Sequence, residues 1–386
     1  MTIRAMEFCC CAGGMALGFR RAGIEFELAV DYDADACSSY EHNLGHRPLQ
    51  MDLRDFLRML KTYGVARAPN LIVADPPCQP WSAAGRKAGL DDERDCLRPM
   101  VEIVKLLKPD AFLLANVPGL EHGNAAEALT ETIGSLSYEG YCVDEMTFDA
   151  ADYGVPQHRI RPFFFVHRGS TCITWPSATH TQPSGPQAVL CGIDLPPWVT
   201  CRQALHDLPP SDLGKVRNVR PTDKAGPAVL PWPWDRPSTT VCAENWIAQP
   251  GHTNGGKGDL SDGKPYQGWK AVVLPERARA RLQGFPDRVC GCNGGFPLAE
   301  IAARQQAAED GELDAARVCI SEVCQECWLP WRPWKFAGAT QRARSVQIGL
   351  AMPPPLAEAV ARSIAAWFAD RATYSIPSQL AAQETT

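Results

Sequence analysis

A chain of 386 residues, 45% hydrophobic and 21% charged, is long enough for two domains and has the balance of an ordinary globular protein. It shows no apolar run of membrane-spanning length and no secretory leader pattern, so the expected location is the cytosol, where its sixteen cysteines stay mostly reduced. A formal net charge of −6 excludes a general nucleic-acid coat but leaves room for one basic face. Arg202, Lys215, Arg217, Arg220 and Lys224 form one candidate cluster, and Arg332, Lys335, Arg342 and Arg344 a second; solvated surface charge is the alternative for each.

The first 168 residues alternate strand-like and helix-like segments. Phe8 to Cys11 reads as a short apolar strand running into Ala12-Gly13-Gly14, and a helix follows through Leu17 and Phe19 to Gly23. Leu28 to Val30 reads as a second strand ending in Asp31-Tyr32-Asp33, with a helix after it to Gly45. Leu71-Ile-Val-Ala74 is a third apolar run, stopped abruptly by proline. Leu97, Val101, Val104 and Leu107 recur at helical spacing, and Lys108-Pro109 ends that helix. Ala111 to Val117 and Pro162 to Val166 are further strand-length runs. The alternation implies an α/β fold with a mostly parallel, doubly wound, Rossmann-like sheet.

The pattern changes after residue 168. Residues 169 to about 270 are rich in Pro, Gly, Ser and Trp, and helical character returns at Pro275 to Leu282. Residues 290–336 read as an insertion with five cysteines and an Ala/Glu-rich helix near 298–316, and a last helix over about 356–369 follows three prolines.

Asp75-Pro-Pro-Cys78-Gln-Pro-Trp-Ser82 places a thiol just behind a buried strand, where α/β sheets bind ligands. Small core filler is the bland alternative for a cysteine. The glycine turn Ala12-Gly13-Gly14 suits close approach of a nucleotide-like cofactor to backbone amides. Asp31 ends a strand where a carboxylate accepts from ribose hydroxyls, and Tyr32 is placed to stack on an adenine. Asp52 is a candidate acceptor for an adenine amino group; a helix cap or surface role stays open for each of these acids.

The ordered set of motifs resembles the DNA cytosine-5 methyltransferase family. It runs from the glycine turn and Asp31-Tyr32 to Pro-Pro-Cys78-Gln-Pro-Trp-Ser, Ala115-Asn-Val-Pro-Gly119 and Tyr153-Gly-Val-Pro-Gln157-His-Arg159-Ile-Arg161. Arg236-Pro-Ser-Thr-Thr240, Arg281-Leu-Gln-Gly-Phe-Pro286 and Gln347-Ile-Gly-Leu-Ala-Met-Pro-Pro354 follow. The resemblance covers most of residues 6–168 and 275–365, and it implies methyl transfer from S-adenosylmethionine to C5 of a flipped cytosine in double-stranded DNA. It assigns Cys78 as the nucleophile adding to C6, with Asn116 beside it and Gln157, Arg159 and Arg161 around the flipped base and its phosphate. Cys9, Ala12, Gly13, Gly14, Asp31, Tyr32, Asp52, Pro77, Leu97, Leu350 and Met352 would line the cofactor site. Arg236, Ser238, Thr239, Thr240 and Gln283 would face DNA.

The chain departs from that family in its pockets. Cys9 stands in place of a Phe, Cys11 in place of the first glycine, Leu350 in place of an Asn, and Ala115 in place of the Glu that holds the base at N3 and its exocyclic amine. Losing such an acid–base partner costs on the order of a hundred- to ten-thousand-fold in rate, so slow transfer is expected. An engineered substitution, drift to a non-catalytic DNA-binding relative, and a pocket reworked for another base or one-carbon donor are the three readings. The tRNA-directed relatives' Cys-Phe-Thr signature is missing from the middle region.

Cys290-Gly-Cys292 and Cys324-Gln-Glu-Cys327, with Cys319 nearby, have the spacing of two halves of a structural zinc site; scattered buried thiols are the alternative. The expected division is a catalytic domain from 1–168 and 337–386 and a target-recognition domain over 169–336, with the cysteine-rich insertion at 290–336. A monomer with no membrane partner, bacterial or phage-encoded and associated with the nucleoid, completes the expectation.

Overall fold

The computed structural model describes residues 2–76, 95–117, 124–169, 171–182, 195–209, 213, 216–219, 234–241, 246–248, 269–289 and 332–374. The N-terminal part begins β1 (Ala5–Phe8), α1 (Gly14–Arg21), β2 (Phe26–Asp31), α2 (Ala34–Leu44), β3 (Leu49–Gln50) and α3 (Leu53–Tyr63). It continues β4 (Leu71–Ala74), α4 (Leu97–Leu107), β5 (Ala111–Ala115), α5 (Asn124–Gly134), β6 (Cys142–Asp149) and β7 (Ile160–His167). These strands form one seven-stranded sheet in the order β3-β2-β1-β4-β5-β7-β6. Neighbours from β3 to β5 are parallel, while β7 runs antiparallel to both β5 and β6. The chain turns opposite ways from β1, to β2 on one side and β4 on the other, which opens a crevice at the carboxyl ends of β1 and β4.

The central strands are apolar because both of their faces are covered. Ala5, Leu71, Val73, Ala111, Leu113, Ala115, Phe163 and Phe165 look to one side, into a core shared with Leu17 and Phe19 of α1. Met6, Phe8, Ile72, Ala74, Phe112, Leu114, Phe164 and Val166 look to the other, onto Phe56 of α3 and Met100 and Val104 of α4. Asp33 and Asp52 cap α2 and α3 by accepting from Ala36 N and Arg54 N, each worth about 1 kcal/mol.

Two strands differ from expectation. β1 spans Ala5–Phe8 rather than Phe8 to Cys11, because Cys9 and Cys11 take left-handed φ of 56° and 48° and leave the ladder. Glu7 had masked the run; its carboxylate is buried and accepts from Tyr40 Oη at 3.1 Å. The edge strand β6 was not expected, since most of its residues face solvent and carry no apolar alternation.

Beyond β7 come α6 (Cys201–Leu205), β8 (Val216–Val219), β9 (Trp246–Ala248), β10 (Trp269–Val273), α7 (Glu276–Leu282), β11 (Arg288–Val289) and β12 (Arg332–Pro333). Strand β10 lies antiparallel between β8 and β9, and β11 pairs with β12. The chain then forms α8 (Gln341–Leu350) and the long α9 (Pro354–Tyr374), which starts two residues before and ends five after the expected 356–369. α9 packs on α1, and Gly18 sits at their crossing, where a Cβ would press on Pro354 O and Glu358 N. Leu356, Val360 and Ile364 of α9 enter the same core as α1. The helix expected near 298–316 lies outside the described residues.

Candidate active site

The crevice at β1 has the features of a cofactor corner. Cys10 O accepts from Gly13 N at 3.1 Å, and Gly13, at φ 88°, opens α1. Asp31, at the end of β2, accepts from Cys11 N at 2.8 Å and Asp33 N at 2.9 Å, which leaves further lone pairs of its carboxylate for a ligand. Burial pushes the Asp31 carboxyl up. Tyr32 beside it is 70% exposed, so its ring face is available for stacking. Leu97 is buried at the start of α4, where its amide donates to Asp95 Oδ1, and Cys96 next to it shares a hydrogen bond with Cys9. Asp52 is committed elsewhere: both its oxygens accept from the Arg54 guanidinium, which holds its carboxyl below the usual range. Gly14 is explained by packing, because a Cβ there would collide with the Met352 carbonyl oxygen.

A second group gathers where β4, β5 and β7 meet. Leu71 pairs with Ala111 and Ala74 with Leu114, so one step on Asp75 stands beside Ala115. Side chains alternate along a strand, and Val73, Leu113 and Ala115 share one face, so Asp75 is directed to that same face. Ala115 pairs with Phe163 on β7, whose preceding same-face residue is Arg161. Asn116 donates from Nδ2 to Pro76 O at 3.4 Å, tying the chain segments that leave β4 and β5. Burial pushes the Asp75 carboxyl up to about 6, against the opposing pull of the Arg161 and Arg159 guanidinium charges.

Gln157, Arg159 and Arg161 are buried while His158 and Ile160 between them are more exposed, as an extended segment with one inward side requires. Gln157 clasps two segments: its Nε2 donates to Leu282 O at 3.0 Å and Gln283 Oε1 at 2.7 Å, and its Oε1 accepts from Val241 N at 2.6 Å. Gln283 is itself buried and donates to Ala351 O. Arg159 Nη2 donates to Gly349 O at 2.8 Å at the carboxyl end of α8, where a cation is favoured. Ser238 is buried and joins its backbone to Pro156 and His158, while Arg236 and Thr240 are exposed.

A family model described as C-5 cytosine-specific DNA methylase matches residues 3–220, more than half of the chain. The chain belongs to this family. Among its relatives, "Type II methyltransferase M.NgoMIV" of Neisseria gonorrhoeae is 28% identical over 376 residues, covering 94% of this chain and 97% of that one. "Type II methyltransferase M.NaeI" of Lentzea aerocolonigenes is 27% identical over 375 residues, covering 95% and 75%. The S. pombe Dnmt2 methyltransferase structure shares the fold at TM-score 0.56 and 16% identity, over 96% of this chain and 99% of that one. The Entamoeba histolytica methyltransferase EhMeth does so at TM-score 0.59 and 11% identity, over 96% and 99%.

As a DNA cytosine-5 methyltransferase, the chain implies DNA as substrate and S-adenosylmethionine as methyl source. The sheet brings Asp31, Tyr32, Gly13 and Leu97 to one crevice and Ala115, Asn116, Arg159 and Arg161 to the adjoining edge. It engages Gln157 and Gln283 with protein partners and Asp52 with Arg54. Leu350 is 45% exposed and Met352 is buried. Cys78, Pro77 and the zinc candidates Cys290, Cys292, Cys319, Cys324 and Cys327 lie outside the described residues. Among the described residues no group of three or more His, Cys, Asp or Glu could hold a metal ion, and no helix is long and apolar enough to cross a membrane. Asp75 and Cys96 were missed from sequence; an acid directly following an apolar strand was the available signal for the first.

Proposed function

We propose that this methyltransferase acts on a cytosine swung out of duplex DNA, through a covalent bond between Cys78 and C6. The carrying observation is the carboxyl end of β4 and β5, where Asn116 donates to Pro76 O and the Arg161 and Arg159 charges act on Asp75, three residues before Cys78 in the sequence. Cytosine C5 is a poor nucleophile until a thiolate adds at C6, and its ring atoms are out of reach inside a stacked duplex. Arginines beside a strand end favour the thiolate.

S-adenosylmethionine supplies an electrophilic methyl group when bound. The residues at the β1 crevice fit it: Asp31 retains acceptor capacity for ribose hydroxyls, Tyr32 presents an open ring face, and Leu97 offers an apolar wall. Cys9, Ala12, Gly13, Pro77, Leu350 and Met352 complete the proposed lining. Residues 169–336 would read DNA, with Arg236, Ser238, Thr239 and Thr240 on the segment that docks beside Gln157. The names of the bacterial relatives support the modification half of a type II system in the cytoplasm.

At position 115 the chain carries no acid, so by that position alone transfer would be slowed on the order of a hundred- to ten-thousand-fold. The test is transfer of labelled methyl to unmethylated bacterial genomic DNA followed by nucleoside analysis. Label in 5-methylcytosine that disappears with Cys78→Ser is expected; label on N4 of cytosine or on adenine would refute the reading.

A further inference from the structure

The family reading leaves a vacancy at position 115, and the strand register fills its surroundings in a specific way. β4 and β5 are parallel and in register through Ala74 and Leu114, and continuing that register by one residue sets Asp75 opposite Ala115. Adjacent strands lie about 4.8 Å apart, and both side chains are directed to the same face of the sheet. The Asn116 Nδ2 bond to Pro76 O carries that pairing past the end of the ladder. Arg161, on the next strand over, and Arg159 both act electrostatically on the Asp75 carboxyl. No pairing partner is needed for Asp75 to hold its place, because its backbone is fixed between a buried strand and Pro76. Cys78 follows only three residues later, within about 10 Å of extended chain.

We propose that Asp75 supplies the carboxyl group that position 115 lacks, donating a proton to N3 of the target cytosine from the neighbouring strand. The proposal rests on the covalent reading above. As the Cys78 thiolate forms its S–C6 bond, the C5=C6 electron pair moves toward C4 and N3, and N3 takes the proton from Asp75. C5 then takes the methyl group from S-adenosylmethionine, which leaves as S-adenosylhomocysteine. Loss of the C5 proton to solvent restores C5=C6, expels the thiolate, and lets N3 return its proton to the Asp75 carboxylate. A carboxyl pushed up by burial is suited to this exchange near neutral pH.

The experiment assays the full chain and its variants on unmethylated bacterial genomic DNA. Asp75→Asn is expected to lower kcat by roughly a hundredfold or more with little change in KM for DNA. Adding Ala115→Glu to Asp75→Asn is expected to restore at least roughly tenfold. A merely structural Asp75 would not be rescued by a carboxylate on another strand. The proposal is overturned if Asp75→Asn keeps nearly full activity, or if its loss persists in the double variant with unchanged melting. Asp75→Ser serves in the same comparison should Asp75→Asn not fold. A wild-type chain that forms no 5-methylcytosine would overturn the underlying reading and this proposal together, a result distinct from an active chain indifferent to Asp75.

Discussion

Asn116 reaches across the carboxyl ends of two parallel strands and donates to Pro76 O at 3.4 Å, while its own Oδ1 accepts from Val117 N at 2.8 Å. Both strands deliver residues to the proposed reaction centre, and this amide adds a tie just past the ladder that sets their register. Its side chain is buried, and removing it strands two polar backbone groups. Asn116→Ala is therefore expected to lower stability by about 1–3 kcal/mol in urea unfolding and to reduce methyl transfer at saturating DNA. Unchanged stability would deny the tie any structural role.

Gly14 opens α1 under the Met352 carbonyl oxygen, with Phe285 also close to where a Cβ would stand. Backbone cannot yield as a flexible side chain does. Gly14→Ala should cost about 1–3 kcal/mol through overpacking, read as a lower Tm, and should loosen the segment that leads into α9.

The charge on Asp75 sets a pH signature. Its folded value is raised to about 6, above the unfolded value of about 4, so the folded state holds its proton more tightly. Stability is therefore lost as pH rises between those two values. Asp75→Asn removes this liability, so the variant is expected to be more stable than the wild type at about pH 7 and indistinguishable near pH 4. Thermal melting across that range checks it; a variant less stable than wild type at neutral pH would point to an ion pair with Arg161 as the dominant effect.

The central strands were legible because Leu71–Ala74 and Ala111–Ala115 are apolar on both faces, a pattern local sequence exposes directly. β1 was misplaced by three residues because buried Glu7 interrupts the apolar run and the left-handed Cys9 and Cys11 look apolar. β6 was invisible because an edge strand with solvent on most of its side chains has no hydrophobic alternation to read. At the site, the Asp31-Tyr32 pair was legible from its place after a strand. The adjacency of Asp75 and Ala115 was not, since it exists only through the register of two strands forty residues apart in sequence.

Arg281 joins three parts of the C-terminal half. Its Nε donates to Asp287 Oδ1 at 2.9 Å, its Nη2 to Asp207 Oδ2 at 3.1 Å, and its Nη1 to Ala204 O at 3.1 Å. These bonds hold the Asp287 carboxyl below its ordinary range despite burial. Arg281→Met removes the guanidinium from Asp207 and leaves Asp287 with Arg277 alone, and should lower stability by about 2–3 kcal/mol. Urea unfolding of the variant measures it, with most of the loss expected to vanish in acid as Asp287 and Asp207 protonate.

Covalent capture by DNA carrying 5-fluorocytosine tests the account most directly, because fluorine at C5 leaves no proton to lose and halts the enzyme on the base. With S-adenosylmethionine present, the wild-type chain is expected to form a denaturation-resistant complex with such DNA, and Cys78→Ser to form none. Complex that persists in Cys78→Ser would contradict the assignment of the nucleophile, and its absence from an active wild type would contradict the covalent route.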